Sequence, residues 1–171
     1  LKSTIQVIKA DERHIDGIAK VCTDGYWATY GDSYPKEYIQ RIVKEFYNAD
    51  RILNEVTTSN KHWGGYFVAV ENGKVLGAGG GGMIGKAAGE IFVLYLDPDR
   101  RNEGIGTKIL DALTTQQKEF GADEQWVSVG KGNQKGIPFY ESRDFIFKYE
   151  KQSYGNIEGE NFVSLRYYRP I

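Results

Sequence analysis

The run Leu94-Tyr95-Leu96-Asp97-Pro98-Asp99-Arg100-Arg101-Asn102-Glu103-Gly104-Ile105-Gly106-Thr107 passes from an apolar, β-rich stretch through a charged loop into a helical pattern. Such a junction suits an anion. Glycines let a ligand approach the backbone, and the free N–H groups at the start of the following helix, with its positive dipole end, favour a pyrophosphate. Arg101 or Arg100 would add charge. The plainer reading of the same residues is a glycine-assisted tight loop. A second glycine cluster, Gly80 to Ala87, nearly spells a nucleotide P-loop. It lacks the Ser or Thr that would hold magnesium, and a strand pattern follows where a helix is required, which argues against an NTPase. The stretch Gly79 to Gly82 then either leaves room for a ligand beside a strand or marks a bulge.

In its order, Arg101-x-x-Gly104-x-Gly106 behind Leu94-Tyr95-Leu96-x-Pro98 resembles the acyl-CoA-binding motif of the GNAT (GCN5-related N-acetyltransferase) superfamily. Further on, Asn133-Gln134-Lys135-Gly136-Ile137-Pro138-Phe139-Tyr140-Glu141-Ser142-Arg143-Asp144-Phe145 is similar to that family's Asn-x-x-Ala-x-x-Phe-Tyr-Glu-x-x-Gly-Phe pattern. Gly136 stands where Ala is frequent, Pro138 enters the short helix, and Asp144 replaces a glycine. Asp tolerates the left-handed conformation of a C-cap, so this last exchange is expected to be accommodated. The likeness covers nearly the whole chain, with Glu90 to Phe145 its motif-specific part.

This resemblance implies acetyl-CoA as co-substrate and a mixed α/β fold whose largely antiparallel sheet contains two splayed parallel strands. By that resemblance the two strands are Ile91 to Leu96 and Gln125 to Val129, with the thioester arm between them. A main-chain N–H among Leu94, Tyr95 and Leu96 would polarise the thioester carbonyl, where negative charge grows during attack. Arg101, Asn102, Glu103, Gly104, Ile105, Gly106 and Thr107 would surround the pyrophosphate. Asn133 would contact the cofactor arm or position a tyrosine. Tyr140 is the family's general acid by register, and a packed aromatic otherwise. The attacking amine must lose a proton, and Glu90 is the candidate acceptor, through water; a solvated strand-end carboxylate is the other reading. Direct transfer in a ternary complex is expected, because Cys22 lies outside both motifs.

Tyr26, Trp27, Tyr30 and Tyr34, with Asp24 and Asp32 among them, either line an acceptor pocket for a cationic amine or form an aromatic core at a helix end. The Trp27-Ala28-Thr29-Tyr30 stretch is similar to bacterial polyamine acetyltransferases of the PaiA type. That likeness implies spermidine-like acceptors first and a peptide or ribosomal-protein N-terminus next. A non-catalytic acyl-CoA-binding sensor is the alternative from another class, and a homodimer is a family-level expectation.

The elements that must hold these residues follow from hydrophobic period. Thr4 to Lys9 alternates as a strand, and Asp11 caps a helix through about Thr23 with Ile15, Ile18 and Val21 on one face. Pro35 opens a helix marked by Tyr38, Ile39, Ile42, Val43 and Phe46, and a shorter one follows at Ile52 to Val56. Gly65 to Val70 and Lys74 to Ile84 form a hairpin through Asn72-Gly73. Beyond Glu90 to Leu96 come a helix from Gly104 to Phe120, a strand from Gln125 to Val129 and a short helix at Pro138 to Ser142. Strands at Phe145 to Glu150 and Phe162 to Tyr168 complete the order.

The chain has 171 residues and a formal charge of −1, from 22 basic and 23 acidic side chains. One domain of this size needs no disulfide or metal, since it buries roughly 70% of its unfolded surface. Near-neutral charge without a basic run argues against nucleic acid, and no apolar stretch reaches membrane-spanning length. One cysteine and two histidines leave little for a metal site, and His14 and Cys22, roughly 12 Å apart along one helix, are too distant for a dyad. A cytoplasmic protein is the expectation.

Overall fold

The computed structural model describes residues 4–171. In chain order the elements are β1 (Gln6–Lys9), α1 (Ile15–Tyr30), α2 (Lys36–Phe46), α3 (Ala49–Thr57), β2 (Tyr66–Glu71), β3 (Lys74–Met83) and β4 (Ala88–Leu96). They continue as α4 (Ile105–Glu119), β5 (Glu124–Gly130), α5 (Gly136–Glu141), β6 (Ile146–Gln152) and β7 (Val163–Pro170). The seven strands form one sheet in the order β1-β2-β3-β4-β5-β7-β6. β4 and β5 run parallel, joined by the α4 crossover, and their neighbours pair antiparallel. The expected mixed α/β architecture is therefore the observed one.

The entry to α1 differs in detail from the prediction. Asp11 caps a 3-10 turn, Glu12–His14, accepting from Arg13 N, while His14 Nδ1 accepts from Asp11 N at 3.0 Å. His14 is thus a capping side chain. α1 then runs seven residues past Thr23, because Tyr26 and Tyr30, one turn apart with ring centroids 4.7 Å from each other, prolong its buried face. The hairpin turn behaves as its sequence indicates: Asn72 and Gly73 take φ of 51° and 78°.

Helices cover both faces. Ile18, Val21 and Cys22 of α1 and Ile52 of α3 pack with Tyr66, Val68 and Ala78 on one side. On the other, Ile105, Ile109, Leu110 and Leu113 of α4 pack against Ile91, Val127 and Val129. The glycine run of β3 is filled from both sides, which overturns the idea that it leaves room for a ligand. A Cβ on Gly79 would lie 2.6 Å from Ile109 Cγ2, and one on Gly80 would lie 2.3 Å from the Trp63 ring. A bulge is present there, but its extra residue is Phe92 of β4, since Gly80 pairs with Val93 and Gly81 with Ile91.

β4 and β5 pair from Ala88↔Glu124 to Ile91↔Val127 and then separate. Beneath the paired part lies a polar brace. Gln117 Nε2 donates to the Glu90 carbonyl at 2.9 Å, Gln125 Nε2 donates to Gln117 Oε1 at 3.0 Å, and Arg169 Nε donates to Gln125 Oε1 at 3.0 Å. Both glutamines are fully buried. Removing Gln117 would take a buried donor from the Glu90 carbonyl and a buried acceptor from the Gln125 amide, leaving the latter only Thr114 Oγ1 at 3.1 Å. Gln117→Leu is expected to lower unfolding stability by about 2 kcal/mol or more, read as a lower urea midpoint; an unchanged midpoint would show that the brace contributes nothing.

Candidate active site

Where β4 and β5 part, the alternate backbone groups of Phe92 to Leu96 that point away from β3 have no strand partner. Leu94, Leu96 and Val129 line a cavity of about 150 Å³ at this gap, together with Gly106, Asn133 and Tyr140. Leu94 and Leu96 pack toward α4. The Tyr95 side chain turns to the opposite face, among Tyr26 and Tyr47, so its backbone alone belongs with the cavity residues of the α4 side. Burial holds its phenol neutral by pushing its pKa well up.

The loop into α4 is shaped for an anion. Asn102 and Gly104 both adopt left-handed φ, 62° and 76°, and α4 begins with no side-chain cap on its N-terminal N–H groups. The two arginines divide their work. Arg100 is held by Glu103, Nε to Oε2 at 2.7 Å, and by Glu71, NH1 to Oε1 at 3.1 Å. Arg101 is exposed, lines the cavity, and has no ion-pair partner among the described residues. Glu103, spent on Arg100, offers its backbone alone. Ile105 and Gly106 are buried, and a Cβ on Gly106 would meet Phe139 at 3.0 Å, so glycine lets α5 close against α4.

Arg143 escaped sequence analysis. Its guanidinium donates to the Thr107 hydroxyl through both Nε, at 3.1 Å, and NH2, and lies 3.8 Å over the Phe139 ring, tying α4 to α5. Asn133 Oδ1 accepts from Gly136 N at 2.6 Å, starting α5, and the Asn133 side chain also bonds the Tyr30 hydroxyl. Asp144 takes φ 70°, as expected of a residue in the glycine position, and Phe145 N closes on Tyr140 O at 3.1 Å. Tyr140 is 7% exposed between Phe139 and Phe145, and burial pushes its pKa up, aided by Tyr30 and opposed by Arg143. It is therefore a neutral phenol, the form in which it could donate a proton.

A second cavity, of about 580 Å³, opens on the α1–α3 side. Tyr26, Tyr30, Tyr34, Tyr38 and Trp63 contribute to its wall, and it shares Tyr30, Ile91, Phe92 and Ser128 with the first. The two spaces meet at the strand gap, with bulge residue Phe92 between them. Trp27 lines neither cavity and packs beside the Tyr26–Ile42 cluster. Asp24 pairs with Lys20 at 2.8 Å and Asp32 is exposed, so the cavity's carboxylates are others: Glu55 and Glu90. Glu90 Oε1 lies 2.9 Å from Arg166 NH1, which also donates to Ser128 Oγ at 2.9 Å. Cys22 is fully buried and its thiol pKa is pushed up by desolvation, unlike a poised nucleophile.

A parallel strand pair thus opens beside an uncapped helix start, with a neutral tyrosine at the opening. The acetyltransferase (GNAT) family model matches residues 22–145, and the chain belongs to that family, whose co-substrate is acetyl-CoA. A spermidine N(1)-acetyltransferase of Thermoplasma acidophilum is 26% identical over 143 residues, covering 83% of this chain and 88% of that protein. The crystal structure of a PaiA N-acetyltransferase from T. acidophilum in complex with coenzyme A superposes with a TM-score of 0.81 at 22% identity, covering 98% of this chain and 99% of that one. A GCN5-related N-acetyltransferase of Rhodopseudomonas palustris gives 0.79 at 17% identity, over 100% and 98% of the chains.

The unpaired β4 edge, the uncapped α4 start and the unengaged Arg101 suit the pantetheine amides and pyrophosphate of acetyl-CoA. Arg101→Ala is expected to weaken acetyl-CoA binding about tenfold by calorimetry, whereas Arg100→Ala should cost less affinity. The reverse ranking would reassign the phosphate contact.

Proposed function

We propose that the chain transfers acetyl from acetyl-CoA to the primary amine of a small cationic acceptor, a polyamine first among them. The observation that carries this reading is the meeting of two cavities at the β4–β5 gap, with Tyr140 lining one and Glu90 lining the other. Support for the acceptor class comes from the tyrosine and tryptophan ring faces of the larger cavity, which suit a cation, and from the similarity to a spermidine N(1)-acetyltransferase; the lining carboxylates Glu55 and Glu90 are accompanied there by Arg51 and Lys151.

Acetyl-CoA supplies the activated acetyl thioester. Arg101 and the first N–H groups of α4 hold its pyrophosphate, while Asn133 and the free edge of β4 position the arm. Unpaired N–H groups of β4, on a strand held in place by its alternate bonds to β3, face the carbonyl oxygen as negative charge develops on it. Such donors need no reorganisation during attack. Glu90, kept in place by Arg166, takes the amine proton through water. Tyr140 gives its phenolic proton to the departing sulfur. The deeply buried Cys22 leaves direct transfer as the route.

The test is thiol release from acetyl-CoA with polyamines, amino acids, aminoglycosides and N-terminal peptides, for wild type, Tyr140→Phe and Glu90→Gln. Polyamine turnover is expected, with kcat lowered roughly 10²-fold or more in each variant and acetyl-CoA affinity retained. Turnover with peptides alone would replace the small acceptor by a protein one. Acetyl-CoA binding without any turnover would leave a sensor.

A further inference from the structure

The two carboxylates of the larger cavity are in opposite states. Glu90 already has its cation, the 5% exposed Arg166. Glu55, on α3, does not have its full complement. Its Oε2 lies 3.5 Å from Arg51 Nε, but its Oε1 is buried and has no hydrogen-bond partner among the described residues. A buried carboxylate oxygen without a donor is unfavourable, and desolvation accordingly raises the Glu55 pKa, with Arg51 opposing.

The surroundings do not relieve this. Cys22 of α1, Tyr47 after α2 and Tyr66 of β2 lie within electrostatic range of Glu55, and burial pushes the pKa of each up, so all three are neutral. Arg51 is shared with an aromatic ring, its guanidinium 4.5 Å from the Phe46 centroid. Trp63 Nε1 donates to the Glu55 carbonyl at 2.8 Å, and the Trp63 ring packs edge-on against Tyr66 and beside Phe92 at the strand gap. An aromatic wall therefore runs from the strand gap to a carboxylate with one oxygen lacking a donor.

We infer that Glu55 receives the non-reacting ammonium of a di- or polyamine whose other end sits at the strand gap, so that a second cationic centre is a condition of acceptance. The inference rests on the acetyl-transfer reading of this cavity. The Glu55 side chain lines the cavity although Oε1 itself is turned inward, so the carboxylate must rotate about its last side-chain bond to present that oxygen; an alkylammonium then supplies up to three N–H donors, and its flanking methylenes and charge suit the ring faces. A monoamine leaves Oε1 as it is.

Binding separates this inference from catalysis. With the protein saturated by coenzyme A, which cannot react, calorimetry is expected to show 1,4-diaminobutane binding at least about tenfold tighter than butylamine, and Glu55→Gln should remove that preference. The kcat/KM ratio of the two amines should collapse in parallel, through KM. Thermal unfolding and coenzyme A affinity establish that the variant is folded, and Glu55→Asp provides a second variant that keeps the charge but withdraws it by one methylene. Equal affinity for the two amines in wild type, or a preference that survives Glu55→Gln, would overturn the inference and leave Oε1 to water. A diamine preference without turnover would sustain it while the transfer reading fails; turnover without a preference would do the opposite.

Discussion

Backbone N–H and C=O groups need partners, and in this fold one stretch of central strand is denied them. β4 pairs with β5 for four residues and then diverges, so its far half has β3 on one side and open space on the other. Neighbouring features serve to keep that opening in place. The Gln117–Gln125–Arg169 brace ties the Glu90 carbonyl to β5 and β7 just before the strands part, the Phe92 bulge interrupts the β3 pairing where β4 leaves β5, and Arg143 fastens α5 to α4 across the mouth. An edge that would be a liability on the outside of a sheet is, at its centre, shielded by the helices on both faces and left with the geometry of a strand awaiting a partner.

Charge is distributed with the same economy. Of two adjacent arginines, one stiffens the loop through Glu71 and Glu103, and the other stays unpaired beside the uncapped helix. Around the larger cavity the tyrosines are numerous, yet burial keeps Tyr26, Tyr30, Tyr47 and Tyr95 uncharged, so they present ring faces without anionic competition. Charge on that wall comes instead from Glu55 and Glu90 set against Arg51 and Lys151.

What could be read from residue order was whatever depends on near neighbours. Strand alternation, the Asn72-Gly73 turn, the glycine-led start of α4 and the left-handed Asp144 are local matters, and each stands in the structure as its residues indicate. The parallel β4–β5 pair followed from the strand–helix–strand order. Matters decided across the fold were not legible. The β3 glycines looked like free space because Trp63 and Ile109, which fill it, come from elsewhere in the chain. Asp24 and Asp32 stood close to the aromatic residues in sequence, but the carboxylates that reach the cavity arrive from α3 and β4. Arg143 and Glu55 carry no motif; their meaning lies in Thr107, 36 residues away, and in a hydrogen bond that is missing.

The gap between the strands also acts as a window through the sheet. With one chamber on the α4–α5 side and another on the α1–α3 side, sharing the sill formed by Ile91, Phe92 and Ser128, traffic need not use a common doorway. What enters through one face need not wait on what leaves through the other, because each chamber has its own walls and only the sill is common.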